Sequence, residues 1–471
     1  MIGKNTLTLT VAALMLASCA VGPDYQRPAM ESPAAYKEAG DWKVAQPQDQ
    51  LARGKWWEVF GDRELNTLIE QIEVSNQNLR ISEAKYRQSL ALVQSARSAF
   101  LPTLSASVSS TRSRAPAARS LGDNPVATSH TLSLGASWEL DVWGRIRRQM
   151  ESSGASAQAN AADLEAARLS LQSELATSFF QLRVNDTQRQ LLEDTMAAYR
   201  KSLELTRNRY AVGVAGRADV VQAEAQLLST QAQALDLGVQ RAQLEHAIAI
   251  LVGKAPAGFA LPPATLNMAM PAIPVGLPSA LLERRPDIAA AERRMASSNA
   301  QIGVARAAYF PALSLSASGG YSGATLAHWL SAPNRFWSLG PSLAATLFDF
   351  GKRSAASDQA LAAYDQSVAT YRLAVLEGFQ EVEDNLAALR ILEAEGKVQD
   401  DAVRAARESV ALTLNQYKAG TVSYLSVVTV QATLLANERT AVGIQGRRLA
   451  AAVGLIRALG GGWSAAQAAG R

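Results

Sequence analysis

Much of this 471-residue chain is written twice. Arg209-Tyr210-Ala211-Val212-Gly213, with Val220-Val221 and Leu227-Leu228 beyond it, recurs as Gln416-Tyr417-Lys418-Ala419-Gly420 with Val427-Val428 and Leu434-Leu435. The differences 417 − 210 and 435 − 228 are both 207. Upstream, Phe100-Leu101-Pro102-Thr103-Leu104-Ser105 matches Tyr309-Phe310-Pro311-Ala312-Leu313-Ser314, and Trp143-Gly144-Arg145 matches Phe350-Gly351-Lys352. Solenoid repeats run to about 20–50 residues, so a period this long makes each copy a large structural unit. The copies are expected at 66–255 and 281–455, joined by a proline-rich linker at 256–280. No proline lies between Pro125 and Pro256, and none follows Pro341. Proline inside a helix costs ~3 kcal/mol, so these blocks permit very long helices.

Each copy also holds two alternating segments. Leu104, Ala106 and Val108 alternate with Thr103, Ser105, Ser107 and Ser109, and Leu132, Leu134, Ala136, Trp138, Leu140 and Val142 alternate with Thr131, Ser133, Gly135, Ser137, Glu139 and Asp141. The second copy sets Leu313, Leu315 and Ala317 against Ser314, Ser316 and Ser318, then Leu339, Leu343, Ala345 and Leu347 against Ser338, Ser342 and Thr346. Successive strand residues face opposite sides, so strands are expected at about 103–112, 130–142, 312–321 and 337–349, each with one apolar and one wet face. A soluble sandwich alternates too. A wet face of Ser and Thr, an apolar face carrying Trp138, Trp337 and Phe348, and lengths near the ~9–11 residues of a tilted transmembrane strand favour a membrane barrel. Open sheet edges are not tolerated in hydrocarbon, and bacterial barrels start at ~8 strands. Several chains must therefore share one barrel: two would give eight strands, three would give twelve.

After each strand pair the period changes to that of a helix, beginning near Gly144 and Gly351. An unbroken helix from Gly144 to Tyr210 would run roughly 100 Å at 1.5 Å per residue. Gly213 and Gly420 stand where such helices end, since glycine accepts the left-handed cap, and a second helix follows each. Beyond Gly213, the 4-3 spacing of Val221, Ala225, Leu228, Ala232, Leu235, Val239 and Ala242 is a coiled-coil seam.

The first residues read as an address. Lys4, an apolar run from Leu7 to Leu16, and then Leu16-Ala17-Ser18-Cys19 make a signal peptide (1–18) ending in a lipobox. Cys19 is the only cysteine, so it has no disulfide partner and is expected to carry lipid. At ~0.8 kcal/mol per buried methylene, several acyl chains hold firmly to a membrane. Ala20, not aspartate, follows it, which favours the outer membrane. Residues 19–65 form the lipidated N-terminal segment and 456–471 a C-terminal tail.

Catalysis has little support. His130, His246 and His328 lack metal-ligand spacing, and no P-loop, G-x-S-x-G elbow or H-E-x-x-H motif is present. Glu381, Glu383 and Asp384 sit at helical spacing, as solvated charges do. The net charge of +4 is mild and no basic run is interleaved with aromatics, which argues against nucleic acid. A porin would lack long helical hairpins, and a scaffold would not need Ser and Thr along its strands.

Taken together, Gly22-Pro23-Asp24-Tyr25-Gln26-Arg27-Pro28, Trp56-Trp57 with Phe60, Leu281-Leu282-Glu283-Arg284-Arg285-Pro286-Asp287-Ile288 with Ala291-Glu292, Ile302-Gly303-Val304-Ala305-Arg306-Ala307, Tyr309-Phe310-Pro311 and both Tyr-x-x-Gly tips resemble the TolC-like outer-membrane factors, in particular the NodT-type efflux lipoproteins of RND pumps. That resemblance implies a mixed α/β membrane protein: a homotrimer with a shared twelve-stranded barrel, four strands per chain, and a long coiled-coil helical tube in the periplasm. It implies a passive duct without a cofactor, opened by a periplasmic adaptor bound to an inner-membrane RND-type pump. A duct for type I protein secretion on the same fold is the alternative.

The resemblance also points to the gate. Tyr417 and Gly420 match the family pattern, and Asp219 matches an aspartate after the first tip. Ser426 and Thr429 stand where relatives often carry aspartate, and Val422 where some carry arginine. A three-fold axis turns each side chain into a ring, so this chain has lost rings of charge. The gate is expected to rest on packing, with Leu425 and Tyr417 nearest the axis, Thr429 beside them, and Asp219 with Arg217 as the remaining polar linkage. Alternatively, Leu425 fills the coiled-coil seam. Gly213, Val214, Gly420 and Thr421 are the tips expected to touch the adaptor.

Overall fold

The computed structural model describes residues 20–29, 33–39, 55–114, 126–267, 270–271, 273 and 284–462. The signal peptide, Cys19, part of the linker and most of the C-terminal tail lie outside them. Each copy leads through helix into two strands and a helical hairpin, with two helices ahead of the strands in the first copy and one, among the described residues, in the second. The first copy has α1 (Arg63–Ser75), α2 (Gln77–Ser98), β1 (Thr103–Ser113), β2 (Ala127–Leu140), α3 (Arg145–Ala211) and α4 (Arg217–Leu251). The second has α5 (Pro286–Ala307), β3 (Ala312–Gly323), β4 (Arg335–Ala344), α6 (Lys352–Ala419) and α7 (Tyr424–Ala458). The helices α3 and α6 have 67 and 68 residues, and α4 and α7 have 35 each, so the duplication persists in element length. No described helix is long and apolar enough to cross a membrane.

The chain divides into two compact units. One, made of residues 1–29, 85–161 and 290–372, contains an antiparallel sheet in the order β1-β2-β3-β4. The register keeps like with like. Leu104 faces Ala136, Ala136 faces Ala317 and Ala317 faces Leu339, while Ser107 faces Ser133 and Thr131 faces Ser322. The polar face is joined hydroxyl to hydroxyl, at 2.8 Å for Ser107–Ser133 and 3.1 Å for Thr131–Ser322. On the other face Leu104, Val108, Leu134, Trp337, Leu339 and Leu343 are exposed. Within this chain β1 and β4 are open edges.

Two strand bounds differ from expectation by more than two residues. β2 starts at Ala127, before 130, because β1 extends to Ser113 and pairs with it there. β4 ends at Ala344, not near 349: its partner β3 begins at Ala312, just after Pro311, so residues 345–349 have no strand of this chain to pair with. Phe348 lies past the ladder, exposed, with its ring 4.4 Å from that of Phe350.

The other unit, made of residues 30–84, 162–289 and 373–471, holds the main core. Trp56, Trp57, Phe60, Ile69, Phe179, Phe180 and Leu455 are buried there together. Trp56 Nε1 donates to Gln172 Oε1 at 3.1 Å, so its polar edge is satisfied on burial. Asp62 caps α1 by accepting from the Leu65 amide. Among charges in this core, Arg183 lies between Asp186 and Glu64, and Arg241 reaches Asp186 and the Leu261 carbonyl, pinning the start of the linker.

Within this chain α4 packs by a second face and leaves the expected seam open. Ala223, Thr230, Leu237 and Ile248 are buried, with Leu227 and Ala234 partly so, whereas Val221, Leu228, Leu235 and Val239 are exposed. The helix thus has two apolar faces, and its own chain fills only one.

Candidate functional site at the strap and the hairpin tips

In the sheet-bearing unit, the segment after Cys19 forms a strap. The Val21 amide donates to the Trp143 carbonyl at 3.1 Å, and Ala20 lies against Gly144 in the turn between β2 and α3, where a Cβ on Gly144 would meet its Cα at 3.1 Å. Gly144 (φ +80°) both makes that turn and leaves the room. Arg148, whose side chain is 8% exposed, donates to the Val21 and Gly22 carbonyls and pairs with Asp24 at 2.8 Å. Gly22 (φ +106°) sits on the backbone of Gly303, so neither position has space for a side chain. Asn299 donates to the Pro23 carbonyl, Tyr25 Oη donates to Glu292 at 2.9 Å, and Arg27 donates to Tyr371 Oη at 3.2 Å. Burial first, and the Glu292 carboxylate next, push the Tyr25 pKa well above its ordinary value. The motifs around Gly22 and Gly303 are therefore two sides of one contact. Cys19, one residue before Ala20, lies outside the described residues.

The tips are in the other unit. Gly213 (φ +76°) and Gly420 (φ +79°) end α3 and α6 in the left-handed conformation. The amides of Val214 and Thr421 then return to the carbonyls of Arg209 and Gln416, at 2.8 and 3.0 Å. These are the helix-terminal turns that satisfy orphan carbonyls. Gly213, Val214, Gly420 and Thr421 are all exposed.

Tyr417 faces inward. Its ring is 3% exposed, packed with Leu203, Ala223, Tyr424 and Val427, and meets Tyr424 edge to face at 5.5 Å. Thr206 gives its hydroxyl hydrogen to the Ser202 carbonyl at 2.9 Å, so the 3.2 Å contact between Thr206 and Tyr417 is donated by the tyrosine. That bond satisfies the hydroxyl of a ring that packing has turned in. Burial raises the Tyr424 pKa to about 12. Asp219 and Arg217 are not joined to each other: Asp219 accepts from the Gly216 amide at 3.3 Å, satisfying a free donor at the start of α4, and Arg217 is exposed.

Joining the two tips instead is Arg209, which the sequence reading passed over. Its Nη1 donates to the carbonyls of Tyr417 at 2.9 Å and Lys418 at 3.1 Å, while its guanidinium lies 4.8 Å from the Tyr417 ring centre. An arginine of the first hairpin thereby caps the C-terminus of α6 in the second, where a cation also suits the helix dipole. The signal that could have found it is the repeat itself, which has Arg209 in one copy and uncharged Gln416 in the other.

Leu425 is 57% exposed and Thr429 is exposed one turn on. Thr429, Thr433 and Thr440 each donate back to the carbonyl four residues earlier. No charged residue occurs from Ser423 to Asn437, so the exposed stripe of α7 starts as a leucine and continues as neutral, internally satisfied threonine and alanine.

These features recur in known proteins. The family model for outer membrane efflux proteins matches residues 68–254 and 277–461, one match per repeat. The probable efflux pump outer membrane protein TtgC of Pseudomonas putida is 31% identical over 464 residues, spanning 98% of this chain and 96% of the relative. The pyoverdine export outer membrane protein OpmQ of Pseudomonas aeruginosa is 32% identical over 468 residues, 98% of this chain and 97% of its own. The solved outer-membrane channel OprN superposes with a TM-score of 0.88 at 30% identity, covering 94% of this chain and all of that one. A duplicated helical-hairpin chain whose two halves each match the model belongs to the outer membrane efflux protein family, the TolC-like channels that form the outer-membrane part of efflux pumps.

Proposed function

We propose that this chain is the exit duct of a tripartite pump for small toxic compounds, anchored by lipid on Cys19 and closed at its periplasmic tips. Three copies share a barrel of twelve strands, and a periplasmic adaptor bound to an inner-membrane RND-type pump engages the tips around Gly213, Val214, Gly420 and Thr421. The observation that carries this reading is the four-stranded sheet with an exposed apolar face and two open edges, β1 and β4. In hydrocarbon such edges must pair, and only other copies offer matching strands. The exposed Val221, Leu228, Leu235 and Val239 of α4 give the same copies a helical face to pack on. Ala20 beside Gly144, in the turn between β2 and α3, supports a lipid that leaves the chain at the membrane surface.

Leu425 begins the neutral stripe and forms the constriction. In planar bilayers, Leu425→Ala in the purified trimer raises single-channel conductance, and Thr429→Asp increases cation selectivity by adding three like charges to a narrow passage. Intact trimers in which neither substitution changes either quantity would remove the constriction from α7. A folded monomer that never trimerises would remove the shared barrel.

A further inference from the structure

The repeat relates the strands as well as the tips. Moving β1 on by 313 − 104 = 209 residues and β2 by 343 − 136 = 207 turns one strand pair into the other. Leu104 faces Ala136 as Leu313 faces Leu343, and the first pair of each ladder corresponds too, Thr103 with Ser137 and Ala312 with Ala344. The repeats themselves are joined where β2 meets β3, with Leu140 against Leu313, Glu139 against Ser314 and Trp138 against Leu315. The β1–β2 ladder stops at Ser137, so residues 138–140 are held in the sheet by β3 alone. Their equivalents are 345–347, the residues past Ala344 that no strand of this chain pairs. Leu347 and Leu104 are 92% and 83% exposed, whereas the corresponding Leu140 and Leu313 are half-buried. Trp143 finishes the internal join by stacking on Phe310 at 4.8 Å and donating to the Pro311 carbonyl at 2.7 Å, while the equivalents Phe350 and Leu101 are exposed. The helical unit has the same asymmetry: Leu435 is buried with Leu192 and Leu237 of the first repeat, and its equivalent Leu228 is exposed.

Applying the two offsets once more, forward on β2 and back on β3, carries the pair Leu140–Leu313 to Leu347–Leu104. We infer that the open edges of successive protomers join in this register, Leu347 of β4 against Leu104 of β1 in the next protomer, Thr346 against Ser105, Ala345 against Ala106 and Leu343 against Val108, and that β4 thereby lengthens to Leu347. The seam between protomers is a copy of the seam inside one. Leucine meets leucine on the apolar face and threonine meets serine on the wet one, whereas a slip of one residue would set leucine against serine. Phe350 comes beside Leu101 and Pro102 of the next protomer but has no indole donor, so this seam closes without the hydrogen bond of the internal one. The inference rests on the shared barrel and adds its register, which is the same whether two or three chains close it.

Thr346 and Ser105 fall on the wet face, where introduced thiols can ionise and oxidise. Directly opposed residues lie ~4.5–5.5 Å apart, within reach of a disulfide, and those displaced by two lie ~7–8 Å apart, beyond it. Full-length trimers in mild detergent are oxidised and run on a non-reducing denaturing gel. Thr346→Cys combined with Ser105→Cys is expected to link chains at least tenfold faster than Thr346→Cys combined with Thr103→Cys or with Ser107→Cys. The single variants and the unaltered chain, whose only cysteine is Cys19, set the background. A displaced pair that links as fast, or intact trimers that the opposed pair never links, would overturn the register. Where a double variant does not assemble, hydrogen exchange in the unaltered trimer decides. The 345–347 segment is expected to be protected as 138–140 is, and free exchange at 345–347 beside a protected 138–140 counts against the inference. Size is measured on every sample, so a folded monomer refutes the shared barrel itself and a wrongly linked trimer refutes the register alone.

Discussion

Removing Arg209 should open the tips. Its guanidinium makes two charge-assisted hydrogen bonds to the α6 terminus and lies over Tyr417. Hydrogen bonds to charged groups contribute about 1.5–3 kcal/mol each, and a partly exposed cation–π contact about 0.5–1. Arg209 is half-buried, so the lower ends apply and water replaces part of the loss. About 2–3 kcal/mol per protomer remains, which is a shift of roughly 30- to 150-fold in the balance between joined and separated tips. In planar bilayers Arg209→Ala should raise open probability sharply. Arg209→Lys should fall between, since an ammonium keeps the charge but cannot fork across two carbonyls and a ring. Arg207→Ala is the control: its partner Glu224 belongs to the same hairpin and both are exposed, so the pair contributes about 0–1 kcal/mol. Trimers of Arg209→Ala with unaltered open probability, or an equal effect from Arg207→Ala, would refute the assignment of the latch to this residue.

Two further outcomes are expected. Cys19→Ala should lose lipid and leave precursor or an unanchored form, read by mass spectrometry of the mature N-terminus, and an unmodified Cys19 in the native protein would end the lipoprotein reading. Tyr424 is neutral when protonated and its folded pKa is raised from the ordinary 10.0 to about 12, so its contribution is complete below pH 10 and declines as pH rises through about 12. Tip stability should fall across that window, and Tyr424→Phe should flatten this part of the dependence in a thermal-unfolding series.

What the sequence reveals depends on whether a residue's partner is implied by the residue itself. Strand alternation is legible because the pleat imposes it on each strand alone: Leu104, Ala106 and Val108 point one way whatever lies beside them. Where β4 stops is not, because its end is set by the start of β3 at Ala312. The seam on α4 shows the same limit. An alanine-rich helix carries apolar residues at heptad spacing on two faces, and spacing alone does not say which one its own chain fills. Tyr417 is conspicuous near a tip glycine, yet its partners inside the chain, among them Thr206, 211 residues earlier, are not. Arg209 reads as one more solvated charge because its partners are backbone carbonyls, and those leave no trace in residue type.

The pairing of β2 with β3 sets the order in which the molecule can be made. Leu140 meets Leu313 and His130 meets Gly323, contacts whose partners are 313 − 140 = 173 and 323 − 130 = 193 residues apart. Closing so long a loop is entropically expensive and slow, whereas a helical hairpin forms from neighbours in sequence. Until the second repeat has left the inner membrane, the β1–β2 ribbon has no third strand, and an isolated two-stranded ribbon is at best marginally stable. The lipid proposed on Cys19 would reach the membrane first, and the strap that seats on Gly303 and Glu292 needs the second repeat as well. Export of the start of the second repeat, through β3, and not of the first repeat alone, is what completes this sheet and seats the strap.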